Sequence, residues 1–288
     1  MQNNNCLEKE EKYSMKRIVT ALILALALTV FVAAQKQTKA KGVLLENLTW
    51  VEAEKVLKPD TVVVIALGGE SKEHGPHLPL NTDWLQAEYF KNQVLQKSNV
   101  VVAPTITYNF YPAFLEYPGS TSLKVETARE LIADVCRSLA GYGVRRFYII
   151  NIGISTNSAL KPAAEELEKE GIVLRYLDLT KKGKVETALA KQERGSHADE
   201  IETSIMLYVA PKAVNMKKAV KDVNERKSGG LFTRNPDSDK GIYSPSGIWG
   251  DATLATRAKG EKIVEELTGR ILSEIEELRK TGVPAIQK

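Results

Sequence analysis

Four short runs rich in β-branched residues constrain the fold of this 288-residue chain more than any other feature: TVVVIAL (61–67), NVVVAPTI (99–106), RRFYIINI (145–152) and IVLRYLDL (172–179). Each is apolar without alternation, the pattern of a strand buried on both faces. Helical patterns lie between them, over Asp83 to Lys97, Val125 to Tyr142 and Asn157 to Glu170. Strands alternating with helices of this length predict right-handed βαβ crossovers and an α/β fold with a mainly parallel sheet. In such sheets the chemistry gathers at the carboxyl ends of the strands. The segment from Arg226 to Gly250 is rich in Gly, Ser, Pro and Asp and reads as a long loop, and an amphipathic helix from Ala258 to Lys280 closes the chain. There is no internal repeat or interior linker, so one domain is expected over 35–288.

The N-terminus carries a different signal. Met15, Lys16 and Arg17 precede an apolar run from Ile18 to Ala34, with Val32 and Ala34 suiting the −3 and −1 positions of a signal-peptidase site. Residues 1–34 therefore read as a secretory signal peptide, with Met15 a candidate start, and the mature chain is expected in the periplasm or outside the cell. The competing reading is an uncleaved anchor, since a run of 17 residues is near the lower limit for a span. Cleavage leaves no stable membrane span and removes Cys6, so Cys136 is then a single thiol on the apolar stripe of a helix, read as structural. Lys and Arg number 40 against 36 Asp and Glu, with no clustered basic face and no nucleic-acid motif, so no nucleic-acid partner is expected.

Only three histidines are present, so any metal site must be completed by carboxylates. In HGPHLPLNTD, His74 and Asp83 flank a turn stiffened by Gly75, Pro76 and Pro79 that can aim both side chains at one point. Taken alone, Asp83 reads better as a helix N-cap, and His74 reads equally as a hydrogen-bonded structural residue. In the segment after Gly195, a helix opened by Ala198 puts Glu202, Ile205, Met206 and Val209 on one face. A carboxylate on such a stripe needs a positive partner, either a metal or a distant Arg or Lys. His197 sits beside Asp199 and Glu200, which can orient its ring or leave it a capping role. After the third strand run, Gly153, Ser155 and Thr156 precede a helix whose N–H groups could bind an anion or oxyanion, with ordinary N-capping by Ser155 or Thr156 the favoured reading. No nucleotide-binding glycine spacing is present.

These segments resemble the creatininase family, metal-dependent amidohydrolases whose best-known member opens the cyclic amide of creatinine. The resemblance is carried by EHGPHLPLNTD (73–83), EYPGSTSL (116–123), HADEIETS (197–204) and GIWGDATLATRAKG (247–260). It implies a three-layer α/β/α sandwich, commonly a homo-oligomer, and a two-metal centre. By this resemblance His74 is a metal ligand, Asp83 the bridging carboxylate, Glu202 the acid that completes the same site, and His197 an acid/base on the substrate.

Two positions depart from the family pattern. Lys72 stands where the family has a glutamate ligand, and NIGIST (151–156) aligns with the family's NGHGGN so that Gly153 replaces a metal-binding histidine. Both lost ligands belong to one metal, which implies a deleted site beside a spared one. The expectation is one divalent ion, zinc by ligand type, with Lys72 as a catalytic cation substituting for the other. Lys72 paired with Glu73 or another acid at the loop surface is the plain alternative. The substrate implied is a small cyclic or linear amide, with Trp84, Tyr108, Tyr111, Tyr117 and Trp249 as pocket walls or as core. Two rivals follow from the same departures: a non-catalytic member that binds a small molecule or protein, and a metal-free enzyme with Lys72 as nucleophile.

Overall fold

The computed structural model describes residues 40–224 and 228–286, so the expected signal segment lies outside the described residues. In chain order the elements are β1 (Val43–Leu44), α1 (Trp50–Val56), β2 (Val62–Leu67), α2 (Thr82–Lys97), β3 (Val101–Ile106), α3 (Val125–Ala140), β4 (Arg146–Asn151), α4 (Asn157–Lys169) and β5 (Val173–Tyr176). The remainder comprises α5 (Lys184–Leu189), α6 (Glu200–Val209), β6 (Lys221–Asp222), β7 (Ser228–Thr233), β8 (Lys240–Tyr243), β9 (Gly250–Asp251) and α7 (Arg257–Lys280). Among the described residues no helix is long and apolar enough to cross a membrane.

The four predicted strands join β1 in one parallel sheet of order β1-β3-β2-β4-β5. Side chains alternate across it, as a pleated strand requires. Val62, Val64 and Ala66 face a layer built from α2 and α7, including Phe90, Val94, Ile263 and Ile271. Val63, Ile65 and Leu67 face α3 and α4, through Ile132, Cys136, Leu160 and Leu167. The continuous apolar runs are thus explained: helices cover both faces, which gives the expected three layers.

Cys136 is free and fully buried in the second layer, and burial pushes its thiol up to about 12. A thiolate is the reactive form, so Cys136 is expected to resist alkylation at neutral pH until the protein unfolds, as read from the mass of its peptide. Rapid native labelling would contradict this packing.

The strand order places the site. From β2 the chain moves through α2 to β3 on one side, then through α3 to β4 on the other side of β2. The crossovers therefore diverge at β2 and β4, a switch point of the kind that opens a crevice beyond the strand ends. Leu67 and Asn151 stand opposite one another in register, so the loops after β2 and β4 leave the sheet at the same level. Gly68 begins the first loop so close to α2 that a Cβ there would overlap the Asp83 carbonyl.

The segment expected as a long loop contains β7 and β8, paired in parallel as a two-stranded sheet. Its glycine and serine content masks the two apolar anchors, Phe232 and Ile242, which pack with Tyr111, Phe114 and Tyr117.

Candidate active site

The loop after β2 folds back on itself, with Lys72 N–H donating to the Leu80 carbonyl (3.1 Å) and Trp84 N–H to the Gly69 carbonyl (3.2 Å). This brings Lys72, His74 and Asp83 together. His74 Nε2 lies 2.7 Å from Asp83 Oδ1, and Lys72 Nζ donates to Asp83 Oδ2 at 2.7 Å. All three side chains are buried. Asp83 occupies the second position of α2, after the N-cap residue Asn81, so the capping alternative does not hold. The surface pairing of Lys72 with Glu73 does not hold either.

Lys72 is instead caged. Its ammonium lies 5.6 Å from the centroid of the Tyr111 ring and 5.2 Å from that of Phe114, cation–π contacts that help offset the desolvation of a buried charge. The Tyr111 ring rests against Gly69 and Gly153. A Cβ at Gly153 would stand 3.5 Å from Tyr111 Cε1, so this ring fills the space into which a longer side chain would project. The Tyr111 hydroxyl is buried without a hydrogen-bond partner.

Helix α6 supplies the opposing wall. Asp199, not Ala198, caps it, accepting from the N–H groups of Ile201 and Glu202 at 2.9 and 3.0 Å. Ala198 has φ 48°, in the left-handed region that costs a residue bearing a Cβ about 1 kcal/mol. That turn separates His197, which faces the site, from Asp199, which caps. Glu202 then reaches His74 Nε2 (3.5 Å) and His197 Nδ1 (3.8 Å) while accepting from Ala198 N–H (2.7 Å) and Gln86 Nε2 (3.3 Å). The side chains nearest its carboxylate are thus two histidines and Gln86, with no direct Arg or Lys ion pair.

The neighbours of His197 differ from those expected. Its Nε2 lies 3.0 Å from Glu73 Oε2, while Asp199 caps and the fully buried Glu200 pairs with Lys259. The ring sits 4.1 Å from that of Phe114 and 5.5 Å from that of Phe232. The other two family segments act as buttresses. Ser120 Oγ accepts from Glu73 N–H at 3.0 Å, and Trp249 forms a β-bridge with His197. Gly247 has φ 83° and passes so close that a Cβ would overlap the Glu73 carboxylate. His77 ties the two main segments together through Thr203 Oγ1 at 2.8 Å, and burial holds its imidazole down to about 4, hence neutral.

The electrostatics follow from this packing. Burial pushes Asp83 toward its neutral form, but Lys72 and His74 beside it hold the carboxyl well below the usual range. Glu202 is lowered in the same way, with burial opposed by His74, His197 and Lys72. For His74, burial disfavours the charged ring, yet the charges of Asp83 and Glu202 outweigh it against opposition from Lys72, and its pKa stands above the ordinary value.

A cavity of about 610 Å³ opens onto this cluster, walled in part by Lys72, Phe114, Ser155, His197, Glu202 and Trp249. Trp249 is thus on the wall as expected. Tyr111 lies behind Lys72, Tyr117 donates its hydroxyl to the buried Ser244 carbonyl, and neither Trp84 nor Tyr117 lines the space. Ser155 Oγ donates to the Phe110 carbonyl (2.9 Å) and Thr156 Oγ1 to Asn151 Oδ1 (2.5 Å). Neither hydroxyl caps α4, so the favoured capping reading does not hold. Sequence reasoning missed Glu73, Gln86, Phe114 and Phe232. Gln86 alone had a signal, lying one helical turn after Asp83 on the same face.

Ligating atoms of His74, His197 and Glu202 lie within 4.8 Å of one another, at the switch point of a parallel α/β sheet. That arrangement defines an α/β protein with a candidate metal centre. The chain belongs to the creatininase family, whose model, described as creatinine amidohydrolase, matches residues 46–275. It is 28% identical over 259 residues to creatinine amidohydrolase of Pseudomonas putida, covering 83% of this chain and 98% of that one. It is 27% identical over 223 residues to the mycofactocin precursor peptide peptidase of Mycobacterium ulcerans, covering 72% and 82%. A solved structure of a mutant creatininase of the Zn–Zn type superposes with a TM-score of 0.68 at 25% identity, covering 83% of this chain and 99% of that one. The protein is thus a creatininase-family hydrolase, in a family whose structures carry metal.

Proposed function

We propose that this protein is an amidohydrolase that cleaves a C–N bond of a small cyclic or linear amide with one divalent ion per subunit. One observation carries the reading: Asp83 turns one oxygen to His74 Nε2 and the other to Lys72 Nζ, each at 2.7 Å. On the His74 side, imidazole and carboxylate donors converge, and an N/O set of this kind fits zinc. His74, Asp83 and Glu202 would hold the ion. On the Lys72 side, an ammonium stands against Asp83 and Gly153 offers no side chain, so the residues present do not fit a second ion.

When bound, a divalent ion supplies an activated water and polarises the amide carbonyl. The chain's own groups do the rest. Lys72 Nζ, held by Asp83 and two rings at the cavity wall, places a fixed positive charge and N–H donors beside the carbonyl, where negative charge develops. It is also a proton source for the departing nitrogen. Phe114, Phe232 and Trp249 keep water from the space around these groups and so strengthen the electrostatics there.

The relatives named for creatinine and for a precursor peptide both cleave bonds at nitrogen, which supports the reaction class. A zinc-loaded preparation tested against cyclic amides, formamides and short peptides is expected to hydrolyse at least one. His74→Ala is expected to lose both the ion and turnover. Full activity with full metal content in that variant would refute the scheme.

A further inference from the structure

We infer that His197 is itself a ligand to the metal, through Nδ1, and that Glu73 is the residue that positions it. This rests on the one-ion reading above and departs from the expectation that His197 moves protons.

The argument comes from what holds the outer nitrogen of each ring. His74 Nδ1 lies 2.9 Å from the Lys72 main-chain carbonyl. A carbonyl only accepts, so that nitrogen carries the hydrogen, and the lone pair of the neutral ring is on Nε2, facing Asp83 and Glu202. His197 is arranged the same way with its nitrogens exchanged. Its Nε2 donates to Glu73 Oε2 at 3.0 Å, which leaves the lone pair on Nδ1, facing Glu202 Oε2 at 3.8 Å. Metal-ligating histidines characteristically have the second nitrogen held by a carbonyl or a carboxylate, and this site shows one of each.

Distances agree. Donors about 2.0–2.1 Å from one ion stand about 3–3.5 Å apart, and a five-coordinate ion keeps a position for water beside His74, Asp83, Glu202 and His197. Glu202 Oε1 lies 3.5 Å from His74 Nε2 and its Oε2 3.8 Å from His197 Nδ1, and ligating atoms of the three residues all lie within 4.8 Å of one another, a span that one ion can draw together.

Glu73 is built to hold this geometry. Its own N–H donates to Ser120 Oγ, its Oε1 accepts from Gly75 N–H, and Gly247 crosses over it without a side chain. Buried with its other oxygen on His197, it has no freedom to reach substrate. His197 thus has Nε2 held by Glu73 and Nδ1 turned toward Glu202, the side on which the ion would sit. Where Gly153 contributes nothing, His197 supplies the second imidazole of the site.

The test is proton NMR of the cobalt(II)-substituted wild-type protein. Ring N–H protons of histidines bound to this ion appear as strongly shifted resonances that vanish in D2O. Two are expected, one from His74 and one from His197, and His197→Ala should retain one. A single such resonance in the wild type would overturn the inference and leave the one-ion reading intact, whereas a protein that binds no cobalt would overturn both. Zinc competition against a chromophoric chelator tests the positioning. Glu73→Ala is expected to weaken zinc binding by about 10–100-fold, with part of the loss restored in Glu73→Gln. Unchanged affinity in a Glu73→Ala protein with native near-UV circular dichroism would remove Glu73 from the scheme.

Discussion

Lys72→Met is expected to lower turnover by about 10²–10³-fold while metal content stays at one divalent ion per subunit, in the variant and in the wild type alike. The magnitude is that of deleting a preorganised donor beside a developing oxyanion. Methionine keeps the packing of the stem against Tyr111 and Phe114 but removes the charge that faces Asp83 Oδ2 at 2.7 Å. Asp83 then loses its ammonium partner, so its binding side is perturbed as well, and a small change in metal affinity is expected. Elemental analysis and steady-state turnover on the same samples decide the matter. Two ions per wild-type subunit would remove the reason for a lysine at this position.

Gly260→Ala is expected to destabilise the protein by at least about 3 kcal/mol, seen as a fall in Tm of roughly 6–12 °C for a domain of this size. Gly260 lies in the second turn of α7, where that helix crosses α6, and a Cβ there would overlap the Ser204 carbonyl. The obstacle is backbone on both sides, which cannot swing away as a side chain can. Relief requires the helices to part, and that separates Lys259 from the buried Glu200 and disturbs the start of α6, where His197 and Glu202 are set. Loss of metal affinity should therefore accompany the loss of stability. An unchanged melting temperature would mean that the helices do not pack as described.

The sheet was legible in the sequence because a buried parallel strand leaves an unbroken apolar run, and the four runs from Val62, Val101, Arg146 and Val173 did so. Strands β7 and β8 were not, because their stability comes from two anchors, Phe232 and Ile242, amid glycine and serine whose strand propensity is low. At the site, the residue types and approximate places of His74, Asp83, Glu202 and His197 were readable from spacing and family resemblance. Their pairings were not. Lys72 and Glu73 are adjacent in the chain yet serve opposite sides of the cluster, one on Asp83 and the other on His197, and no one-dimensional pattern distinguishes that from mutual pairing. Phe114 escaped notice for a related reason: its contacts with Lys72 and His197 exist only after three separate segments have met.

The ammonium of Lys72 differs from a metal ion in being part of the polypeptide. It requires no loading step, and a chelator cannot withdraw it. A site with two exchangeable cations loses function with the product of two occupancies. A site in which one positive charge is tethered to the chain responds to scarcity of metal through a single occupancy, so its activity should follow free metal along a simple hyperbola.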